Sequence, residues 1–250
     1  TTGSGAFDPG DGAVTAEYLD FRLSEAGLFV GLGGDAAALG AADPEAALSA
    51  AGAIGFYVGG ASLRLVSVTT APGGTAAAPD LSDTRSWTAL SASIDASGLT
   101  GVEAVTLTLS DAAALFQQAS GVASASGPAA AALDWASGVR VGGQDFVLDG
   151  LTADVALAVS GTAALDVSGA IYAEATLDLV REVGVTVDDG VGGLTDPLEN
   201  ASLLTFSLSD ATVFVGVGAE TDAGLDLSDA VGFEVSGAAI DRSLVQEAPG

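Results

Sequence analysis

The stretch "FRLSEAGLFVGLG" at residues 21–33 decides how the chain is interpreted, because it returns as "FSLSDATVFVGVG" at residues 206–218. Eight of the thirteen positions are identical. A second match follows each copy, since "AIGFYVGGASL" from Ala53 resembles "AVGFEVSGAAI" from Ala230. A long internal repeat of this kind constrains the whole fold, so the rest of the sequence is interpreted around it.

The repeat predicts how the chain is organised. We expect one full repeat unit at residues 1–185 and the start of a second at residues 186–250. In this division, residues 206–250 correspond to residues 21–70, and the connector between the two matched segments is shorter in the second copy.

A shorter pattern, apolar-x-Leu-Ser-acid-Ala, lies within the long repeat. It occurs as "FRLSEAGLF" (21–29), "LTLSDAAAL" (107–115), "FSLSDATVF" (206–214) and "LDLSDAVGF" (225–233). Apolar residues alternate with polar ones on either side of the Ser-acid-Ala step, which is typical of β-strands. Each copy therefore predicts a strand, a corner of small residues and a second strand.

The fold class follows from the alternating runs and from 35 glycines, which together favour sheet over helix. Alanine-rich stretches at 36–52 and 109–120 predict short helical turns. We predict a mainly β chain, a β-solenoid-like stack of short strands with one or two short helices. Tandem β-sandwich domains are the alternative, because turn signals also occur at the spacing of sandwich strands. Four aromatic residues are assigned to the core: Trp87, Trp135, Phe56 and Phe233.

Composition excludes several classes of function. The net charge of −27, with only six basic residues, would repel nucleic acid, so no nucleic-acid partner is expected. No apolar run reaches the length of a membrane-spanning helix. The chain lacks His and Cys, which supply the commonest general base and the best nucleophile, and we expect it not to be an enzyme. A hydrolase using two carboxylates, such as Glu174 and Asp178, is the least favoured hypothesis, because these acids alternate like a solvated strand face.

Acidic loops are the candidate metal sites, because carboxylate oxygens are the ligands that Ca²⁺ prefers. Two groups of acids lie in loops: Asp35, Asp43 and Glu45 in the first connector, and Asp188, Asp189 and Asp196 in "DDGVGGLTDPLEN". None follows the spacing of an EF-hand loop. Calcium is the expected cofactor if these acids form sites, and a solvated acidic surface is the alternative.

The segments "FSLSDATVFVGVG" and "AVGFEVSGAAI", together with "RSWTALSASIDASGLTGVEAVTLTLSDA" (85–112), resemble tandem repeats of very large, acidic, Cys-free exported bacterial surface proteins. These adhesin-like or matrix-like proteins are extracellular and repetitive. The resemblance implies a structural role outside the cell, often with Ca²⁺, and it carries over no catalytic residue.

Two functions from different classes are therefore expected. The first is an extracellular structural repeat protein whose copies associate head to tail into a filament, sheath or surface layer. The second is an adhesin that recognises cell-surface polysaccharide through its acidic loops. Both place the protein outside the cell or at its surface.

Overall fold

The computed structural model describes residues 1–10, 12–75, 78–102, 104–188, 197–220 and 225–247. These residues form thirteen strands: β1 (Thr2–Phe7), β2 (Val14–Leu32), β3 (Ile54–Thr70), β4 (Gly73–Thr75), β5 (Ala78–Asp80), β6 (Ser86–Thr100), β7 (Val105–Ser120), β8 (Val139–Val141), β9 (Gln144–Phe146), β10 (Val155–Val167), β11 (Ile171–Val187), β12 (Leu198–Val217) and β13 (Val231–Gln246). The two helices among them are α1 (Ala36–Leu39) and α2 (Pro44–Ala50). The prediction of a mainly β chain with one or two short helices is confirmed.

Eleven of the described strands form one open antiparallel sheet, in the order β13-β12-β11-β10-β7-β6-β3-β2-β1-β8-β9. Strands β4 and β5 pair with each other apart from it. The strands form a side-by-side stack, as predicted, and each strand is antiparallel to its neighbours. Both copies of the repeat contribute to this one sheet, so the described residues do not form the tandem sandwiches of the alternative.

The predicted corners of the short motif are β-bulges inside continuous strands. In β2, β7 and β12 the acidic residues Glu25, Asp111 and Asp210 have φ values of 53°, 51° and 53°. The pairing register shifts beside each of them. One extra residue in the left-handed conformation bends a strand without ending its pairing, which explains why the chain kinks here instead of turning back. In the fourth copy, Asp229 lies in the turn before β13.

The two alanine-rich stretches behave differently. Residues 36–52 form α1 and α2 as predicted, because Asp35 and Asp43 cap the helices and Pro44 occupies the first turn of α2. The predicted helical turn at 109–120 is wrong, since it forms the second half of β7. Strands β6 and β10 pair with both edges of β7, and this ladder outweighs the local preference of alanine for helix.

The main core lies under the segment 121–154, which carries β8 and β9 and folds over one face of the sheet. Trp135, Phe146 and Leu151 of this segment are fully buried against Val66, Val68 and Trp87 of the sheet. The indole N–H of Trp87 donates to the carbonyl oxygen of Ala131 at 2.8 Å. The core assignment of both tryptophans is thereby confirmed.

A smaller core lies where α1 and α2 pack on the other end of the same strands. Leu48 of α2 and Tyr57 of β3 are buried there, and Phe29 of β2 packs against them. Phe56, the neighbour of Tyr57, points to the opposite face and is 37% exposed. Phe233 is 68% exposed. The core assignment of Phe56 and Phe233 is wrong, because neither α1, α2 nor the segment 121–154 packs on the face on which they lie.

Cross-strand pairing shows that this second face, which we call the open face, carries two apolar rows across the eight long strands, since directly opposed residues share a face. Toward one end of the sheet this face becomes polar, where Glu17, Thr69 and Ser86 lie in one row. One row across it runs from β2 to β13: Phe21, Leu65, Leu90, Phe116, Leu157, Arg181, Leu204 and Leu244. The next row is Leu23, Leu63, Ala92, Ala114, Val159, Leu179, Phe206 and Arg242. A row on the opposite face, which we call the covered face, is mostly polar: Ser62, Ser93, Ala113, Ser160, Asp178, Ser207 and Asp241.

Candidate assembly edges

The repeat in the sequence is also a repeat in backbone pairing. The matched segments form the hairpins β2–β3 and β12–β13, and their registers coincide. Corresponding pairs are Leu23–Leu63 with Leu208–Ile240, Ala26–Ala61 with Ala211–Ala238, and Val30–Phe56 with Val215–Phe233. The facing bulge glycines also correspond, since Gly60 and Gly237 have φ values of 64° and 66°. The same residues therefore build the same bulged hairpin twice.

Strand β13 forms one open edge of the sheet. All sixteen of its residues are exposed, and β12 is its one neighbour among the described strands. In the first copy, the corresponding side of β3 is occupied by β6, which pairs from Gly55–Thr100 to Thr69–Ser86. The second hairpin therefore leaves open an edge that the first hairpin has paired.

Strand β2 supplies a second open edge on the opposite side of the same hairpin. Strand β1 pairs only with its first part, from Val14 to Leu19. From Phe21 to Leu32 the described strands place β3 on one side of β2 and no strand on the other. In the second copy, the corresponding side of β12 is paired with β11. The edge that is open at β13 is therefore paired with β6 in the first hairpin, and the edge that is open at β2 is paired with β11 in the second hairpin.

The number of long strands makes these two edges compatible with each other. Between the edges lie eight long strands that are antiparallel neighbours: β2, β3, β6, β7, β10, β11, β12 and β13. Because eight is even, β2 and β13 run in opposite directions. A second copy placed with its β2 beside β13 would continue the antiparallel sheet in the same sense.

The charges on these edges are few. Strand β13 carries Glu234, Asp241 and Arg242, a formal charge of −1, and residues 21–32 carry Arg22 and Glu25, a formal charge of 0. The whole chain carries −27. Electrostatic repulsion between copies is therefore concentrated away from the two edges.

The acids of the first connector have structural contacts. The backbone N–H groups of Ala37 and Ala46 donate to Asp35 and Asp43, each at 2.9 Å, which caps α1 and α2. Glu45 accepts a hydrogen bond from the Tyr57 hydroxyl at 3.0 Å. Burial raises the pKa of Tyr57, and the charge of Glu45 raises it further. These acids hold the helices over the sheet.

The acids of the second loop are only partly described. Asp188 follows β11 directly, whereas Asp189 and Asp196 lie outside the described residues. Within the described ranges, no group of three or more His, Cys, Asp or Glu is arranged to hold a metal ion. The calcium assignment stays a prediction.

The acids considered for hydrolysis belong to the covered face of β11. The Tyr172 hydroxyl donates to Glu174, and Asp178 lies opposite Ser160 and Ser207. Burial, followed by this hydrogen bond, raises the pKa of Tyr172 to about 12.

Sequence reasoning missed the open edge of β2. In the part of the chain that the structure describes, no helix has the length and hydropathy needed to cross a membrane. No protein-family model, no curated protein and no solved structure matches this chain.

Proposed function

We propose that this chain is an extracellular structural repeat protein, not an enzyme, whose copies join head to tail into a filament, sheath or surface layer. The observation that carries the proposal is the open edge of β13. Its counterpart β3 is paired on both sides, while β13 exposes all sixteen residues.

An unpaired strand edge presents a row of backbone donors and acceptors to any strand that can reach it. Natural proteins usually blunt such edges with short strands, prolines or charges. Strand β13 is sixteen residues long, contains no proline and has three charged side chains. These features favour pairing with another strand by β-augmentation.

The open edge of β2 is the partner that fits. It belongs to the same kind of hairpin, runs opposite to β13 and carries no net charge between residues 21 and 32. A contact between two different edges is heterologous, and it continues from copy to copy unless a rotation closes the ring. Head-to-tail pairing would therefore produce an open-ended polymer.

Sedimentation velocity over a range of protein concentrations, with electron microscopy of the same samples, tests the proposal. We expect the mean mass to grow with concentration without a closed end point, and we expect elongated particles with a regular axial repeat. The series is run with Ca²⁺ and with a chelator, to show whether the ion holds copies together. A chain that stays monomeric in both series contradicts the proposal.

A capped variant tests the edge itself. Residues 86–100, the sequence of β6, are appended after Gln246 through a flexible Gly/Ser linker, because β6 pairs with the corresponding edge of β3. We expect the appended strand to occupy β13 and stop growth of the polymer. The matched control carries the same fifteen residues in shuffled order, and it should still polymerise. Equal growth of both variants would show that β13 is not the contact.

A further inference from the structure

The open face leaves an unusual amount of surface in contact with water. The accessible surface is 14122 Å², whereas a compact monomer of 24.1 kDa exposes about 10,000 Å². The excess of about 4,000 Å² reflects a sheet whose open face is uncovered and whose other face is covered over only part of its width. On the other face Phe21 is 49%, Val215 51% and Phe233 68% exposed.

An exposed apolar surface of this extent is typical of an interaction site. Eight strands spaced about 4.8 Å apart and about twelve residues long give the face an area of about 1,500 Å². A standard protein interface buries about 800 Å² on each partner. The open face alone therefore offers more area than a stable dimer needs.

We infer that the open face packs against the open face of a second copy, so that two sheets form a two-layered β-sandwich. Layers of this kind pack about 10 Å apart with their apolar side chains interdigitated.

The distribution of charge favours a second copy as the occupant. The two rows that cross the open face contain no carboxylate, and their charged residues are Arg181 and Arg242, both toward the β13 side. The carboxylates Asp178 and Asp241 lie on the covered face and would point outward in the sandwich. Glu17 lies on the same face beyond these rows, toward the end of β2 that pairs with β1. Two copies with a net charge of −27 each can therefore meet along these two rows without bringing carboxylates together.

This inference goes beyond the edge contact and does not require it. Edge pairing extends a sheet in its own plane, whereas face pairing adds a second layer to it. If both occur, each layer of the polymer shields the apolar face of the other along its whole length.

The test uses the edge-capped variant as background, so that the association which remains reports on the face. In that background Val215→Glu and Phe233→Glu are made separately. These residues pair with each other across β12 and β13 and are more than half exposed, so the fold of one copy does not depend on them. The matched control is Ser243→Glu, which adds the same charge on the covered face of β13.

We expect the capped parent and the Ser243→Glu variant to form dimers in sedimentation equilibrium. Each open-face variant should raise the dimer dissociation constant at least about 100-fold, because it buries an unpaired carboxylate between the layers. Circular dichroism and urea unfolding at low concentration establish that all four proteins are folded. Small-angle X-ray scattering of the dimer should show the thickness of two layers.

Four outcomes would overturn the inference. The capped parent could remain monomeric at every concentration, or the open-face variants could dimerise as tightly as the Ser243→Glu variant. In the third, monomeric protein floats with phosphatidylcholine vesicles and the open-face variants do not, which assigns the face to lipid. Filaments that form unchanged in uncapped open-face variants refute the face contact and leave the edge contact intact. If dimers form but capping leaves polymer growth unchanged, the edge contact is refuted and the face contact stands.

Discussion

The acidic residue of the Leu-Ser-acid-Ala motif occupies a backbone conformation that most L-residues avoid. Glu25, Asp111 and Asp210 all have φ near +50° within strands. The left-handed conformation costs about 1–2 kcal/mol for an ordinary residue, and Asp tolerates it better than a β-branched residue does. The motif therefore places at each bulge a residue that is polar and can accept the strain.

Substitution of Asp210 tests this account. We expect Asp210→Val to lower the free energy of unfolding by about 1–2 kcal/mol, because a β-branched residue is strained at positive φ. Asp210→Gly is the matched variant. It should be more stable than the Val variant by at least about 1–2 kcal/mol, because glycine adopts this φ freely. Urea unfolding measures both. Equal stability of the two variants would show that the bulge conformation is not what the motif selects.

At the scale of the element, each repeat hairpin contains a cross-strand pair of glycines under an aromatic ring. Gly216 pairs with Gly232, and the ring of Phe214 lies over both. Gly31 and Gly55 stand in the same relation to Phe29. A ring that lies along a strand needs neighbours without side chains, so these glycines allow Phe214 to be buried although neither α1 nor α2 packs against it.

Gly216→Ala should therefore destabilise the second hairpin. Its Cβ would lie 2.4 Å from the carbonyl oxygen of Val231 and 2.5 Å from Cζ of Phe214. We expect a loss of about 1–3 kcal/mol in the free energy of unfolding, as for other overpacked sites. Gly40→Ala is the control, since its φ is −92° and its nearest neighbour would be 3.7 Å away. The interpretation fails if both variants unfold at the same urea concentration.

At the scale of the whole molecule, one buried carboxylate links the sheet to the segment that covers it. Asp20 on β2 accepts hydrogen bonds from Arg22 at 2.8 Å and from Arg64 at 3.3 Å. Arg64 also donates to the carbonyl oxygen of Val147 in the covering segment at 2.7 Å. Burial raises the pKa of Asp20, but the two guanidinium groups outweigh burial and hold this pKa below its ordinary value.

The lowered pKa of Asp20 determines how the stability of the fold changes with pH. Asp20 stabilises the fold fully above its unfolded pKa of about 3.9, and this contribution is lost as the pH falls through the lower folded value. At pH 7 we expect Asp20→Asn to lower the free energy of unfolding by about 1–3 kcal/mol, because it leaves Arg64 without its charged partner. The difference from the parent should shrink as the pH falls below about 4.

Urea unfolding between pH 7 and pH 3 measures this difference. Asp145→Asn is the control, because Asp145 and its partner Arg140 are both more than half exposed. That change should have a small effect at every pH, since exposed ion pairs contribute little. A constant difference between Asp20→Asn and the parent across the whole range would contradict the assignment.

Much of the local structure was predictable from the sequence. Period-2 alternation and glycine content predicted the mainly β chain. The repeat indicated that residues 206–218 would have the same local structure as residues 21–33. Alanine content predicted the helices of the first connector, whereas their capping acids Asp35 and Asp43 were assigned from the sequence to a candidate metal site. These features depend on contacts between residues close in the chain, so they can be predicted from short stretches of the sequence.

Only the tertiary structure decided which face of the sheet is covered and which edges are open. Phe56 and Phe233 have the hydropathy of core residues, yet their exposure depends on where the distant segment 121–154 and the connector helices fold. Residues 109–120 prefer helix locally and form a strand because β6 and β10 pair with them. Burial and pairing are properties of contacts between distant segments, and alternation within one segment cannot show which of its faces another segment will cover.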